Sequence, residues 1–403
     1  MKILIINDTA TVIGGAASVA IMTARILADA GNEVVFFAAG NDADQSLVRN
    51  TNIHLVLTGQ PLSLDNSNRA KGAINGLYNH KAKKMLIKCL QNNKGIQLAH
   101  VHSWTKALSS SIFSALHIMK VPTVLTAHDY FLNCPNGGLF NYQTNQICLL
   151  KPMSIACLTS NCDKRNFIQK IYRVIRQTIQ NILITRKQPC IIHVSDFARK
   201  RITKDSPKLN GPVINNPVDY QRMVKVHCPS NHVYAYIGRV DQEKGVDLFC
   251  QAVSELNLPA RVIGTGDQME QLSEQYPTIE FVGWIPKQQL SSYLKDVRCC
   301  VFPSRWYEAA ALTPKEIMVG WGIPMIGSDQ SSIIEDIRDN INGLLFKTGD
   351  IESLINQLRR AEDNTLIDTL QEQIIIERHH NRYQTQKTYL DELLNTYKNL
   401  GAK

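Results

Sequence analysis

The chain has 403 residues, 44% of them apolar and 20% charged, which places it among globular proteins with material for two cores of ordinary size. No stretch approaches the roughly 18 uninterrupted apolar residues of a spanning helix. The net charge of +9 is unevenly shared: residues 1–214 carry 25 Lys and Arg against 10 Asp and Glu (+15), and the remainder 19 against 25 (−6). A basic half attracts phosphate-rich partners, whether nucleic acid, anionic lipid or a pyrophosphate-linked substrate, unless it is only a solvated surface. The opening MKILIIN runs straight into a β-branched segment without a basic leader or cleavage site, so a cytosolic chain is expected, or one touching a membrane from that side. Ten cysteines in such a chain argue against a disulfide framework.

In chain order, KILIIN reads as a buried strand, GGAASVAIMTARILADAG as a Gly-led helix and EVVFFAAG as the next strand, together a βαβ unit. Gly14 and Gly15, with Ala16 and Ala17, open that helix with small residues that let backbone N–H groups approach an anion or a sugar. The run lacks G-x-G-x-x-G spacing and reads equally as a tight βα turn. Apolar runs recur at 98–103, 121–129 and 190–195, as in a parallel sheet covered on both faces.

Four cysteines, Cys134, Cys148, Cys157 and Cys162, cluster at intervals of 14, 9 and 5. Four thiolates can bind a structural zinc and pin a long loop. The spacing is not a repeated C-x-x-C, so plain buried thiols are the other reading. The helical pattern that follows carries an apolar set (Ile168, Ile171, Val174, Ile175, Ile179, Ile182) interleaved with Lys164, Arg165, Lys170, Arg173 and Arg176. A basic amphipathic helix of this kind lies on an anionic bilayer, or packs its apolar face into the first domain and shows a basic rim to solvent.

A second strand series begins after a turn-rich stretch, at 233–239, 260–266, 279–285, 299–304, 324–329 and 343–350, giving a second doubly wound domain with a boundary near 215–230. Ligands of open α/β sheets bind outside the carboxyl ends of the strands, so two such domains facing each other make a cleft. Arg239 ends a predicted strand and Lys244 follows five residues later, a fork and a point charge suited to a diphosphate. Glu308 lies in the loop after CCVFPS, and Pro314 suits the first turn of a helix carrying Glu316. Ala309, Ala310 and Ala311 between them offer backbone N–H groups and a helix N-terminus to an anion. The carboxylates can accept from sugar hydroxyls, although Glu316 can also serve only its own helix start. The stretch 351–400 is helical, basic and polar, without readable chemistry.

The E-x7-E spacing after PS and before GIP-x-I-x-SD, together with YIGRVDQEKGVD, VIGTGDQ, FVGWIP and INGLLFKTGD, resembles the retaining glycosyltransferases of family 4, which have the GT-B fold. The resemblance runs through most of residues 1–350. It implies that Arg239 and Lys244 hold the donor pyrophosphate and offset charge on the departing nucleotide, that Glu316 binds the ribose and that Glu308 binds the donor sugar. It places Gly283, Trp284 and Ile285 near the base through main-chain contacts. Ala310, Ala311 and Leu312 join the donor site, with Gly14 and Gly15 on the phosphate and acceptor side. His128 falls near the sugar, as a hydrogen-bond partner or, in the rival reading, a general base. The chain departs from the family where Ala309, Ala310 and Ala311 replace a Gly-Phe-Gly-like run, and where Ala17 replaces the usual acidic residue after the Gly pair.

These readings predict an α/β protein of two Rossmann-like domains: 1–214 with a Cys-rich insertion near 134–162, 215–375 for the nucleotide sugar, and a C-terminal helix at 376–403 packing back on the first. The implied activity is a metal-independent retaining transfer of a sugar from a UDP- or GDP-sugar to a glycan or polyprenyl-pyrophosphate-linked acceptor. It needs no cofactor beyond a structural zinc, and it fits a cytoplasmic chain working at the inner face of a membrane. No nucleic-acid motif accompanies the charge, so nucleic acid is set aside. The rival classes are a GT-B epimerase or phosphorylase and an inactive sugar-nucleotide-binding subunit.

Overall fold

Strand β1 (Lys2–Ala10) is apolar at consecutive positions because both of its faces are covered. Leu4 and Ile6 pack into a core with Val35, Phe37 and Val101, while Ile3 and Ile5 point to the opposite face, among Val34, Phe36 and Leu98. The computed structural model describes residues 1–62, 68–218, 224–380 and 383–402. Around β1 lie β2 (Glu33–Ala43), β3 (Ile53–Leu57), β4 (Leu98–Val101), β5 (Thr123–Ala127) and, beyond a hairpin of β6 (Phe140–Asn141) and β7 (Gln146–Ile147), β8 (Cys190–His193). They form a six-stranded parallel sheet in the order β3-β2-β1-β4-β5-β8. The edge strand β3 escapes a sequence reading because most of it is only partly buried and its apolar run is short.

Between β5 and β8 the chain makes the Cys-rich excursion and then the long helix Phe167–Lys187. Much of the excursion is irregular, so its carbonyl groups need donors. The helix supplies them from its polar side chains: Gln180 Nε2 donates to Phe131 O at 2.5 Å, Gln177 Nε2 to Leu132 O at 3.2 Å, and an Arg176 guanidinium nitrogen to Pro135 O at 3.1 Å. Lys170, Gln177 and Gln180 are therefore buried, and Ile168, Ile171, Ile175 and Ile182 are exposed. Of the two readings of this helix, the one that packs its apolar face into the domain beneath a basic rim is set aside.

Cys134, Cys148, Cys157 and Cys162 form no disulfide, and the buried Lys170 ammonium donates to Cys162 Sγ at 3.1 Å and to Cys157 Sγ at 3.5 Å. Among the described residues no three His, Cys, Asp or Glu side chains form a metal-holding group.

The second sheet repeats the first: β9 (Val233–Ile237), β10 (Ala260–Ile263), β11 (Glu280–Gly283), β12 (Val297–Phe302), β13 (Met325–Ser328) and β14 (Gly343–Phe346), in the order β11-β10-β9-β12-β13-β14 and parallel throughout. The boundary predicted near 215–230 includes residues 219–223, which lie outside the described residues. Ile214 still bonds to His193 of the first lobe, and Val226 already belongs to the second core. The helix Asn364–His379 spans the predicted division at 376 and buries Ile367, Leu370 and Ile374 in the second lobe. The chain recrosses after it, where Val218 N donates to Gln384 O at 2.8 Å, and the helix Gln386–Asn399 then lies on the first lobe. There Tyr389, Leu393 and Tyr397 join the core of β1 and β2; Tyr389 Oη is 2.8 Å from Thr23 Oγ1, and Tyr397 Oη is 2.7 Å from His100 Nδ1.

Because that helix closes a core of the other lobe, Leu393→Ala should cost about 2–5 kcal/mol of stability. Urea denaturation measures it; a cost below about 0.5 kcal/mol would mean that the helix is not packed there.

Candidate functional site in the interlobe cleft

Parallel strands send their carboxyl ends to one edge of each sheet, and segments that follow those edges in the two lobes touch each other. From the first lobe comes the turn after β1, in which Gly14 at φ 143° precedes the helix Gly15–Asp29. From the second comes the loop after β12, which leads into the helix Leu312–Trp321. A Cβ built on Gly15 would stand 3.2 Å from Leu312 Cδ1, so the two segments singled out in the sequence touch across the cleft. Nearby, Ser195 Oγ donates to Ala309 O at 2.5 Å, and Tyr307 and Ala309 are buried in the first lobe's core. A Cβ on Gly138 of the Cys-rich excursion would meet the Trp306 ring at 3.1 Å.

The floor of this cleft is an ion pair. Lys244 Nζ donates to Glu308 Oε1, Ser304 Oγ donates to the same oxygen at 3.0 Å, and the ammonium stands 4.9 Å from the centre of the Trp306 ring. Glu308 is buried, which alone would raise its pKa; the Lys244 charge and the hydrogen bonds from Lys244 and Ser304 outweigh burial and hold it below the ordinary carboxylate value. Lys244 reaches this position because Gly245 turns the chain at φ 69°, where a Cβ would strike Pro303 O at 2.1 Å.

Arg239 is half-exposed and pairs with Asp241 and, at 3.3 Å, with Glu243. The two cations are thus surrounded by three carboxylates, so the immediate site is not the simple positive patch that the sequence suggested. Arg239 keeps donors to spare, since its side chain is 57% accessible and a guanidinium has five N–H groups. Glu316, on the second turn of its helix, bonds Lys287 at 2.9 Å, and Lys287 follows directly on the segment Gly283, Trp284, Ile285, Pro286. Glu316 and that segment therefore form one side of the cleft, with the Trp284 ring 72% exposed. The three alanines offer less free backbone than expected. Ala311 N donates to Ser332 Oγ at 3.1 Å, while Ser195 occupies only the Ala309 carbonyl, which leaves the N–H groups of Ala309 and Ala310 and an N-terminus without a side-chain cap at Leu312.

His128, just past β5, lies in a small recess with His102, Ser103 and Trp104. His102 Nδ1 and His128 Nε2 are 2.9 Å apart and their rings are stacked at 5.2 Å. The buried His102 Nε2 has no hydrogen-bond partner among the described residues. A buried N–H without an acceptor is the dearer orphan, so the cheaper arrangement puts the His102 proton on Nδ1 and makes His128 Nε2 the acceptor. His128 then carries its proton on Nδ1. Burial pushes the His128 imidazole down to about 4, His100 to about 3, and His102 well below the ordinary value, where the neighbouring histidines add to the effect. The sequence singled out only His128; LAHVHS contains the other two, at alternate positions of β4 and its end, but nothing in that spacing shows that they stack.

The chain matches two family profiles, one described as "Glycosyltransferase Family 4" over residues 13–222 and one as "Glycosyl transferases group 1" over residues 231–364. Among curated relatives, it is 23% identical over 215 residues to an uncharacterized 41.2 kDa protein in the cps region of Klebsiella pneumoniae, covering 49% of this chain and 58% of that one. It is 24% identical over 123 residues to a GDP-mannose-dependent alpha-mannosyltransferase of Corynebacterium glutamicum, covering 30% and 29%. The chain thus matches less than two thirds of the length of either relative. Among solved structures, sucrose-phosphate synthase from Thermosynechococcus elongatus superposes with a TM-score of 0.75 at 18% identity over 100% of both chains. Anabaena HepE in complex with UDP-glucose gives 0.70 at 16% identity, over 99% of this chain and 100% of that one. S. aureus TarM in complex with fondaparinux, alpha-GlcNAc-glycerol and UDP gives 0.68 at 12%, over 98% and 99%. At these identities the likeness to solved structures establishes the fold.

Two outcomes follow from the site's electrostatics. Lys244→Ala leaves Glu308 buried without its cation and should destabilise the protein by about 3–5 kcal/mol; Lys244→Ala combined with Glu308→Gln should recover most of that loss in urea melts. The three neutral imidazoles have folded pKa values below 6.5, so below that pH the unfolded chain binds protons that the folded chain refuses. Stability is full above pH 6.5 and is lost as pH falls toward 4, with a slope of up to about 1.4 kcal/mol per pH unit for each histidine. His128→Asn should flatten that slope in urea midpoints taken between about pH 7 and about pH 5; an unchanged slope would place the proton uptake elsewhere.

Proposed function

The chain belongs to glycosyltransferase family 4 and has the GT-B fold, and from that premise we propose that it transfers a sugar, with retention, from a UDP- or GDP-sugar to a glycan or polyprenyl-pyrophosphate-linked acceptor. The observation that carries this reading is the Lys244–Glu308 pair, with Glu308 four residues before Leu312, which touches the Gly14–Gly15 turn of the other lobe, because the pair sets a cation and a carboxylate where loops of the two lobes meet. Solved relatives bind UDP-glucose or UDP in the same fold, and a curated relative uses GDP-mannose, which leaves the base open between uridine and guanine. The relative in a cps region favours polysaccharide synthesis.

In the reaction, the bond between the anomeric carbon and the diphosphate oxygen breaks while the acceptor hydroxyl oxygen bonds to the same face of that carbon. The departing phosphate oxygen takes the hydroxyl proton. Charge gathers on the leaving diphosphate, and hydrogen-bond donors already aimed at that charge lower the barrier without having to reorganise as it develops. Arg239, Lys244 and the uncapped N-terminus at Leu312 supply them, so the reaction requires no metal. Arg239 exchanges Asp241 for a phosphate oxygen, which its exposure permits. Glu308, held ionised, accepts from donor-sugar hydroxyls, and Glu316 releases Lys287 to accept from the ribose. An imidazole with a pKa near 4 is a weak base at neutral pH, so His128 acts as a hydrogen-bond donor through Nδ1 rather than as the general base.

Incubation with a panel of UDP- and GDP-sugars, followed by release of the nucleoside diphosphate, tests the reading. Arg239→Ala should lower kcat/KM by about 10²–10³, as for other lost transition-state donors, and should also lower stability because it leaves the buried Asp241 and Glu243 without their cation; kinetics are therefore compared well below the variant's melting temperature. Glu316→Ala should act mainly on KM, by about tenfold, if the ribose contact is uniform in ground and transition states. A chain that binds no nucleotide sugar, or that is indifferent to both substitutions, would leave the proposal without its basis.

A further inference from the structure

The long helix Phe167–Lys187 is built inside out. Ile168, Ile171, Ile175 and Ile182 are 76%, 47%, 47% and 49% exposed. At 3.6 residues per turn they fall within a sector of about 60°. The opposite side is buried and, apart from Ile184 near its end, polar, with Lys170, Gln177 and Gln180 bonded to the Cys-rich excursion beneath. A neighbouring helix, Arg69–Leu77, extends the stripe: Tyr172 Oη donates to Ala73 O at 2.9 Å, and the next residue, Ile74, is 66% exposed. Soluble surfaces scatter their apolar residues singly; a continuous aliphatic stripe of this length marks a surface that meets something apolar.

What it meets follows from charge. Residues 66–195 carry 17 Lys and Arg and only two acidic residues, Asp129 and Asp163. Asp163 is buried and paired with Arg173 at 2.6 Å, and Asp129 is half-buried. Within the first lobe the exposed isoleucines therefore sit in a field of one sign: Arg165 precedes the helix, Arg186 and Lys187 end it, and Arg69 and Lys71 precede Ile74 on its own helix. A second copy of the chain would bring the same positive field against itself, which opposes a symmetric dimer on this face. A lipid surface with negative headgroups satisfies both features, since aliphatic side chains enter the acyl boundary while cations stay among the headgroups.

We propose that this face of the first lobe docks on an anionic lipid bilayer, with the isoleucine stripe immersed and the surrounding Lys and Arg at headgroup level. The leading end of the helix lies beside the second lobe, where Lys164 Nζ bonds Asp267 Oδ2 at 2.6 Å, so the docked face adjoins the interlobe cleft. That proximity serves the lipid-linked acceptor of the proposed transfer and rests on that reading; the docking itself needs neither donor nor acceptor. No helix among the described residues is long and apolar enough to cross a membrane, so the contact is one of surface immersion.

Flotation of the full chain with vesicles decides the matter. Binding is expected to vesicles of phosphatidylglycerol and phosphatidylcholine in equal parts, to weaken as salt is raised, and to be absent with phosphatidylcholine alone. Ile168→Ser, Ile171→Ser and Ile175→Ser together should weaken vesicle binding by at least about tenfold while the melting temperature and nucleotide-sugar binding stay as in the parent chain. No binding to the anionic vesicles, or binding that survives the triple substitution, overturns the proposal, as does a dimer in solution that the triple substitution dissolves. Loss of nucleotide-sugar binding with vesicle binding intact would instead count against the glycosyltransferase reading alone.

Discussion

The arrangement depends on a constraint of parallel sheets: every strand delivers its chain to the same edge, so loops that are distant in sequence are collected along one line. Here that constraint operates twice, and segments that follow the two lines touch each other. The turn after β1, the segment after β5 and the start of the helix after β8 come from one edge; the loops after β9, β11 and β12 come from the other. Gly15 and Leu312, almost 300 residues apart, become neighbours for this reason alone. The recrossing of the chain near Val218 and Gln384, with the C-terminal helix anchored by Tyr389 and Tyr397 on the first lobe, ties the lobes together away from the cleft mouth.

Within the cleft, charge is organised by burial rather than by excess of sign. Lys244 and Glu308 lose most of their water, and the Lys244 charge holds Glu308 in its ionised form. Such a pair costs desolvation twice and contributes little to net stability, which fits a role in function better than one in folding. Arg239 differs: its partners Asp241 and Glu243 are buried, while its own side chain is largely open to solvent. One cation is fixed and the other is free to change partners. The histidine stack on the first lobe follows the same logic, since burial keeps the rings neutral and their mutual bond fixes which nitrogen faces outward.

The Cys-rich excursion reverses the usual relation between a helix and its domain. An irregular segment has carbonyl groups to satisfy, and the long helix that covers it turns its glutamines, Lys170 and Arg176 inward to do so. Ile168, Ile171, Ile175 and Ile182 are then left outward. The polar requirements of one loop thereby produce an apolar surface on the opposite side of the helix, joined to the most basic part of the chain.

The two-sheet architecture, and the placing of Arg239 and Lys244 after a strand and of Glu308 and Glu316 in a loop and the helix that follows it, were legible in the sequence, because uninterrupted apolar runs and glycine turns are local signals. Partner choice was not. That Lys244 pairs with Glu308, that Ala311 N–H is spent on Ser332, that His102 orients His128 and that Trp306 lies beneath the ammonium depend on contacts between residues far apart along the chain. The helix Phe167–Lys187 shows the same division most plainly. Its two faces could be read from a period of 3.6 residues, but which face is buried was decided by the hydrogen-bonding needs of the segment folded beneath it. Periodicity distinguishes the sides of a helix; only tertiary structure supplies what each side must satisfy.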